Sequence, residues 1–185
     1  MNSMLFLINT LFDLYIMVVL MRAWLQFARA DFYNPFSQFV VKATQPIIAP
    51  LRRIIPPIGS LDTATLLFAY VLCMGKFVVL DLVATSGALS FSPELFYIGA
   101  LALLKSAGGL LFWVLIIRAI LSWVSQGRSP IEYVMMQLTE PFVAPVRRVI
   151  PPLGGLDLSV LVIFIGLQFI NFLLGDLIGP IWFQL

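Results

Sequence analysis

Hydrophobic residues run along this chain in four long, nearly charge-free stretches, not in short alternations or heptads. The stretches cover about 4–27, 61–84, 97–124 and 156–178. Each is long enough for the ~20 residues of helix that cross a hydrocarbon core. Only the turn-rich "TSGALSFSPE" separates the second from the third, whereas mixed segments, 34–60 and 129–155, follow the first and the third. Each mixed segment opens with a proline suited to a first helical turn, Pro35 or Pro130. Phe36, Phe39, Val40 and Ala43 then form a stripe opposite Gln38, Lys42 and Gln45; Ile131, Val134, Met135 and Leu138 oppose Glu132, Gln137 and Glu140. A short amphipathic helix of this kind suits a membrane interface. Beyond it, Pro46, Pro50, Pro56 and Pro57, with Pro141, Pro145, Pro151 and Pro152 as counterparts, lack amide donors and predict repeated bends. Irregular backbone at membrane depth needs cover from protein or water. Each segment is therefore expected as an interfacial hairpin or a shallow re-entrant loop, and the pattern leaves both open.

The two mixed segments are copies. Residues 44–62, "TQPIIAPLRRIIPPIGSLD", and 139–157, "TEPFVAPVRRVIPPLGGLD", agree at twelve of nineteen positions with a constant offset of 95. "RAWLQF" at Arg22 matches "RAILSW" at Arg118, "NPF" at Asn34 matches "SPI" at Ser129, and Asp81 matches Asp176. The expected fold is an all-α membrane protein with four transmembrane helices in two parallel tandem repeats, 1–90 and 91–185. Each repeat carries a proline-rich amphipathic segment between its helices. Two crossings per unit give both copies one orientation, which implies a pseudo-twofold axis along the membrane normal.

Composition agrees with a membrane protein: 61% of residues are hydrophobic, 11% are charged, and the mean hydropathy is +1.03. A soluble chain carries about 25% charged residues. A net charge of +2 gives no reason to expect nucleic acid as a partner. The absence of histidine and the single cysteine exclude His-based acid–base chemistry, His-ligated metal and cysteine clusters, so no cofactor is expected. Cys73, within "LLFAYVLCMGKFVVL", reads as a buried small hydrophobe. The first apolar stretch lacks a basic leader and a small-residue cleavage site, and is expected to remain as a spanning helix.

Charge placement orients the chain. Arg22, Arg29, Lys42, Arg52, Arg53, Arg118, Arg128, Arg147 and Arg148 are nine of the eleven basic residues, and all group around the two copied segments. The positive-inside rule makes that side cytoplasmic and places both termini outside, with Trp182 as an anchor at the outer interface. Arg52, Arg53, Arg147 and Arg148 either meet phospholipid headgroups, pair with Asp62 or Asp157 (natural helix caps), or bind an anionic partner. Counting inward from Arg29 at 1.5 Å per residue, Arg22 lies about 10 Å deep and Asp13 about 24 Å; Lys76 lies about 22 Å from Leu61. Asp13 and Lys76 can meet as a buried pair. Arg22 and Arg118 either snorkel, bond carbonyls freed by the prolines, or line a polar cavity between the repeats. Asp81, Lys105 and Asp176 count out near the outer interface.

The doubled "P-[IFV]-x-A-P-[LV]-R-R-[IV]-I-P-P-[IL]-G-[SG]-L-D" motif, with the arginine of "RAWL" and "RAIL", resembles the YggT family of small bacterial membrane proteins, related to YlmG proteins of other bacteria and plastids. The match covers essentially the whole chain and is closest in character to an enterobacterial member. The resemblance implies a bacterial inner-membrane protein. Family members are associated with osmotic-stress tolerance and potassium uptake, with cell division and nucleoid or thylakoid organisation, and in one plastid case with haem attachment. Without histidine, the haem role does not carry over.

Two functions follow as expectations. The first is a non-enzymatic scaffold or assembly factor that holds a membrane or cytoplasmic protein, or anionic lipid, on its proline–arginine elements. The alternative is ion (potassium) transport, as a homo-oligomer in which the small residues Ser106–Gly109 allow close helix packing. An enzyme is not expected: Asp81 and Asp176 lie too near the outer interface for an intramembrane aspartate pair, and Lys105 and Ser106 are neighbours that point apart on a helix.

Overall fold

A computed structural model describes residues 3–85, 92–125, 128–150 and 158–185, except for the side chain of Trp123. The described residues form seven helices: α1 (Ser3–Phe27), α2 (Pro35–Ile54), α3 (Thr63–Ala84), α4 (Glu94–Val124), α5 (Pro130–Val149), α6 (Leu158–Ile178) and the short α7 (Ile181–Gln184). No strand occurs among them; the one β contact is a bridge between Ile58 and Leu61. Four helices, α1, α3, α4 and α6, are long and apolar enough to cross a membrane. Their faces remain largely uncovered: only 11% of the α6 window is buried within the chain. Apolar helices of this length with so little internal cover are suited to lipid.

The core sits where α1 meets α3 and α4. Ile16, Val19, Leu20 and Leu25 of α1 pack with Ala69 and Cys73 of α3 and with Ala102, Leu110 and Val114 of α4. Val40 of α2 and Val134, Met135 and Leu138 of α5 complete the cluster. Gly99 lets α4 approach α3: a Cβ there would collide with the side chain of Met74. α1 ends on Arg29, whose φ of 51° is left-handed, while the amide of Ala30 reaches back to the Leu25 carbonyl at 3.0 Å. That is a Schellman-type stop made without glycine.

The proline segments differ from expectation. α2 runs unbroken through Pro46 and Pro50, and α5 through Pro141 and Pro145. The reason lies in placement. All four prolines are exposed or nearly so, on the side opposite the buried residues Ser37, Val40, Thr44 and Ile48 of α2 and Val134, Met135, Leu138 and Val143 of α5. A proline deprives one carbonyl of its helical partner, and on an exposed face water or headgroups can take that bond. The expected stripe in α2 is also rotated: Phe39 is 61% exposed, whereas Ser37 and Thr44 face inward. In the first copy, irregular backbone is confined to 55–62, where Gly59 at φ 61° closes the Ile58–Leu61 turn. Residues 151–157 of the second copy, including Asp157, Pro151 and Pro152, lie outside the described residues.

Candidate functional site

Arginines of two long apolar helices, α1 and α4, hold α2 and α5 in place. Arg22, 3% exposed, reaches from α1 to α2 and donates to Thr44 Oγ1 at 2.8 Å, Gln45 Oε1 at 2.7 Å and the Val41 carbonyl at 3.3 Å. Arg118 does the same from α4 to α5: it donates to Thr139 Oγ1 at 2.6 Å and lies 3.6 Å from the Glu140 carboxylate. Thr44 and Thr139 in turn donate to the carbonyls of Val40 and Met135, each at 2.7 Å. An arginine at this depth is costly without partners, and here the copied threonines and their Gln or Glu neighbours supply them. The Nε of Arg22 is buried without a hydrogen bond.

The copied arginine pairs divide. Arg52 joins three elements: its guanidinium bonds both carboxylate oxygens of Asp62 and the side chain of Gln26 at the end of α1. Asp62 is 1% exposed and caps α3, accepting from the amide of Thr65 at 3.3 Å and from the Thr65 hydroxyl. Burial pushes this carboxyl up, but the hydrogen bonds from Arg52 and Thr65 outweigh it and hold the group below the usual carboxylate range. Arg147 turns to Glu140 at 3.2 Å. Arg53 and Arg148 have no hydrogen bond or ion pair among the described residues, and both are exposed. Each stands beside a bare aliphatic residue, Ile54 at 79% and Val149 at 80% exposure.

Toward the other ends of the spanning helices lies a second polar group. Lys76 Nζ, on α3, is 2.7 Å from Asp13 Oδ1 on α1, and Asn9 donates to the other carboxylate oxygen at 3.0 Å. Lys105 was expected near the outer interface. It lies eleven residues inside α4, or about 16 Å from its start. Its ammonium donates to the Trp182 carbonyl at 2.6 Å and sits 5.6 Å from the Trp182 ring centre. Trp182 is correspondingly not an interface anchor: it is 2% exposed and donates through its indole to Asn171 at 2.9 Å. Asp13, Cys73, Lys76, Lys105 and Ser106 line one cavity of about 200 Å³. Lys105 also opens onto a larger groove of about 660 Å³ between α1, α4, α5 and α6, lined by Trp24, Gly108, Gly109, Phe142, Gln168 and Asn171 among others. Side chains added at Gly108 or Gly109 would meet nothing within 4 Å. Those glycines leave space within this chain and support no helix contact in it.

Comparison with known proteins places these features. A family model described as CCB3/YggT matches residues 1–83 and 98–178. The chain is 75% identical over 185 residues to an uncharacterized protein in the proC 3' region of Vibrio alginolyticus, covering 100% of both. It is 54% identical over 171 residues to the uncharacterized protein YggT of Escherichia coli K12, covering 92% of this chain and 88% of that one. An uncharacterized protein of Haemophilus influenzae is 40% identical over 175 residues, 95% of this chain and 93% of its own. No solved structure matches the chain.

Proposed function

The chain belongs to the CCB3/YggT family, and we propose that it is a non-enzymatic scaffold or assembly factor of the bacterial inner membrane. In this reading two parallel tandem repeats, 1–90 and 91–185, present their proline–arginine helices at the cytoplasmic face, and the termini lie in the periplasm. The grouping of nine of eleven basic residues around those helices supports the orientation. One observation carries the docking role. At matching positions of the two copies, Arg53 and Arg148 are exposed without a partner among the described residues, next to Ile54 and Val149, while Arg52 and Arg147 are held by Asp62 and Glu140. A cation beside a bare aliphatic side chain fits an anionic protein surface lying on the membrane, with anionic headgroups competing for the same charge. The link to osmotic tolerance and envelope organisation belongs to this reading.

The test is capture from native membranes by the tagged wild type and an Arg53→Glu/Arg148→Glu variant, with bound proteins and lipids both identified. Proteins lost from the variant support the scaffold. Loss of anionic lipid alone reduces the elements to headgroup anchors, and identical captures remove the proposal.

Potassium transport is the weaker reading. Arg22, Arg118, Asp13 and Lys76 all have partners within the chain. The polar cavity sets two lysines against one aspartate, which repels a cation.

A further inference from the structure

The 660 Å³ groove is unlike the sites above in both size and lining. Its volume is that of a small-molecule site, which is apolar with a few placed polar groups. The apolar lining comes from Leu20, Trp24, Phe27, Leu111, Phe112 and Phe142, and Gly108 and Gly109 leave the floor open. Four polar side chains break it. Asp62 already accepts from Arg52 and Thr65, and the Asn171 Oδ1 from the Trp182 indole, which leaves Gln168 and Lys105. Gln168 lies at the middle of α6, opens onto the groove and hydrogen-bonds nothing among the described residues. Lys105 has three ammonium donors, and the described residues offer it one acceptor, the Trp182 carbonyl, and no ion pair. In hydrocarbon, a cation and a carboxamide left short of acceptors call for an oxygen partner.

We propose that the groove binds one long apolar chain that ends in a carboxylate, with the carboxylate held by Lys105 and Gln168 and the chain lying against Trp24, Phe112 and Phe142. A phospholipid head is disfavoured at this place. Headgroups stay about 15 Å from the bilayer midplane, whereas Lys105 shares a cavity with Asp13 and Lys76, which count about 22–24 Å from the inner boundary, so its ammonium lies several ångströms inside the hydrocarbon. A free carboxylic acid crosses to that depth in its neutral form, gives its proton to water at the mouth of the open groove, and pairs as the carboxylate with the ammonium. This site is separate from the exposed arginines, and neither reading depends on the other.

The experiment uses the full chain in phosphatidylcholine vesicles, with Trp113→Phe and Trp123→Phe so that Trp24 and Trp182, both on the groove, report. Brominated stearic acid is titrated against brominated methyl stearate and brominated phosphatidylglycerol. The acid is expected to quench saturably at a few mole per cent, and the ester and phospholipid only in proportion to their mole fraction. Lys105→Gln should weaken the acid about tenfold or more, the worth of one charge-assisted hydrogen bond. Gly108→Leu, whose side chain enters open space, should abolish saturation without loss of helicity by circular dichroism. Quenching by the acid that merely follows mole fraction overturns the site. Saturable binding of the ester or phospholipid equal to the acid, or an unaffected Gly108→Leu variant, overturns it as well.

Discussion

Replacing Asp62 by alanine removes the cap of α3 and the anion that holds Arg52 in one step. The cap alone contributes about 0.5–2 kcal/mol. Charge-assisted hydrogen bonds of the Arg52 kind add about 1.5–3 kcal/mol. That second figure must be reduced, because the Arg52 side chain is 34% exposed and water can replace part of what it loses. The expected cost is about 2–4 kcal/mol, or roughly 4–16 °C in melting temperature for a chain of this length. Asp62→Asn keeps a capping oxygen and should lose about half as much. The assay is thermal unfolding in detergent across a double-mutant cycle of Asp62→Ala and Arg52→Ala, with a coupling of at least about 1 kcal/mol expected. The pH dependence has a definite sign. The folded-state pKa of Asp62 is lowered, so its contribution is complete above the unfolded value of about 3.9 and disappears as pH falls through the folded value. The gap between wild type and Asp62→Ala should therefore close below about pH 4. Independent, additive single mutants, or a gap that widens in acid, would refute the reasoning.

Arg22→Ala should cost about 3–5 kcal/mol by leaving Gln45 and Thr44 without the buried cation that joins them, and Arg22→Lys should recover little because one ammonium cannot span both acceptors; limited proteolysis at α2 together with melting checks both. Lys76→Ala should destabilise by about 2–4 kcal/mol, less than a fully buried pair because the Asp13 side chain is 36% exposed. Most of that loss should return in a Lys76→Met/Asp13→Leu double variant, read by melting and by yield from membranes. Arg29→Gly should stabilise by up to about 1 kcal/mol, since Arg29 occupies a left-handed conformation that a glycine adopts without steric cost; a melting temperature that falls would count against it.

The spanning helices were legible because length and apolarity alone specify them, and their observed ends differ from the expected ones by no more than three residues. The Asp13–Lys76 contact also followed from counting depth, since two opposite charges at one level of neighbouring helices have few other partners in lipid. The expected bends within α2 and α5 did not occur, for a specific reason. Proline counts as a helix breaker only where its orphaned carbonyl is denied another donor, and the sequence does not say that Pro46 and Pro50 share an exposed face. The Arg22–Thr44 contact spans 22 positions and the Lys105–Trp182 contact 77, so neither leaves a local signature. Lys105 was overlooked because α4 begins at Glu94, earlier than the apolar run suggests, which moves the lysine deeper. Its partner, Trp182, looked like an interface residue by type.

The copied arginines make sense as a division forced by helix geometry. Successive residues point about 100° apart, so Arg52 and Arg53, or Arg147 and Arg148, cannot both turn toward the bundle. The inward member of each pair meets an acid of the chain, Arg52 at Asp62 and Arg147 at Glu140. Position 45 is glutamine, which serves Arg22 and leaves Arg52 to reach Asp62 at the head of α3. Its counterpart is Glu140, an acid within the helix itself, and it draws both Arg118 and Arg147. Glu140 thus offers Arg118 and Arg147 a carboxylate where Gln45 offers Arg22 a carboxamide. The outward members have not diverged: both are arginines, both are exposed, and both adjoin a bare aliphatic side chain. Stability of the bundle accounts for the inward pair. The similarity of the outward pair has no counterpart in the chain's own packing, and it is the feature that the proposed docking role would account for.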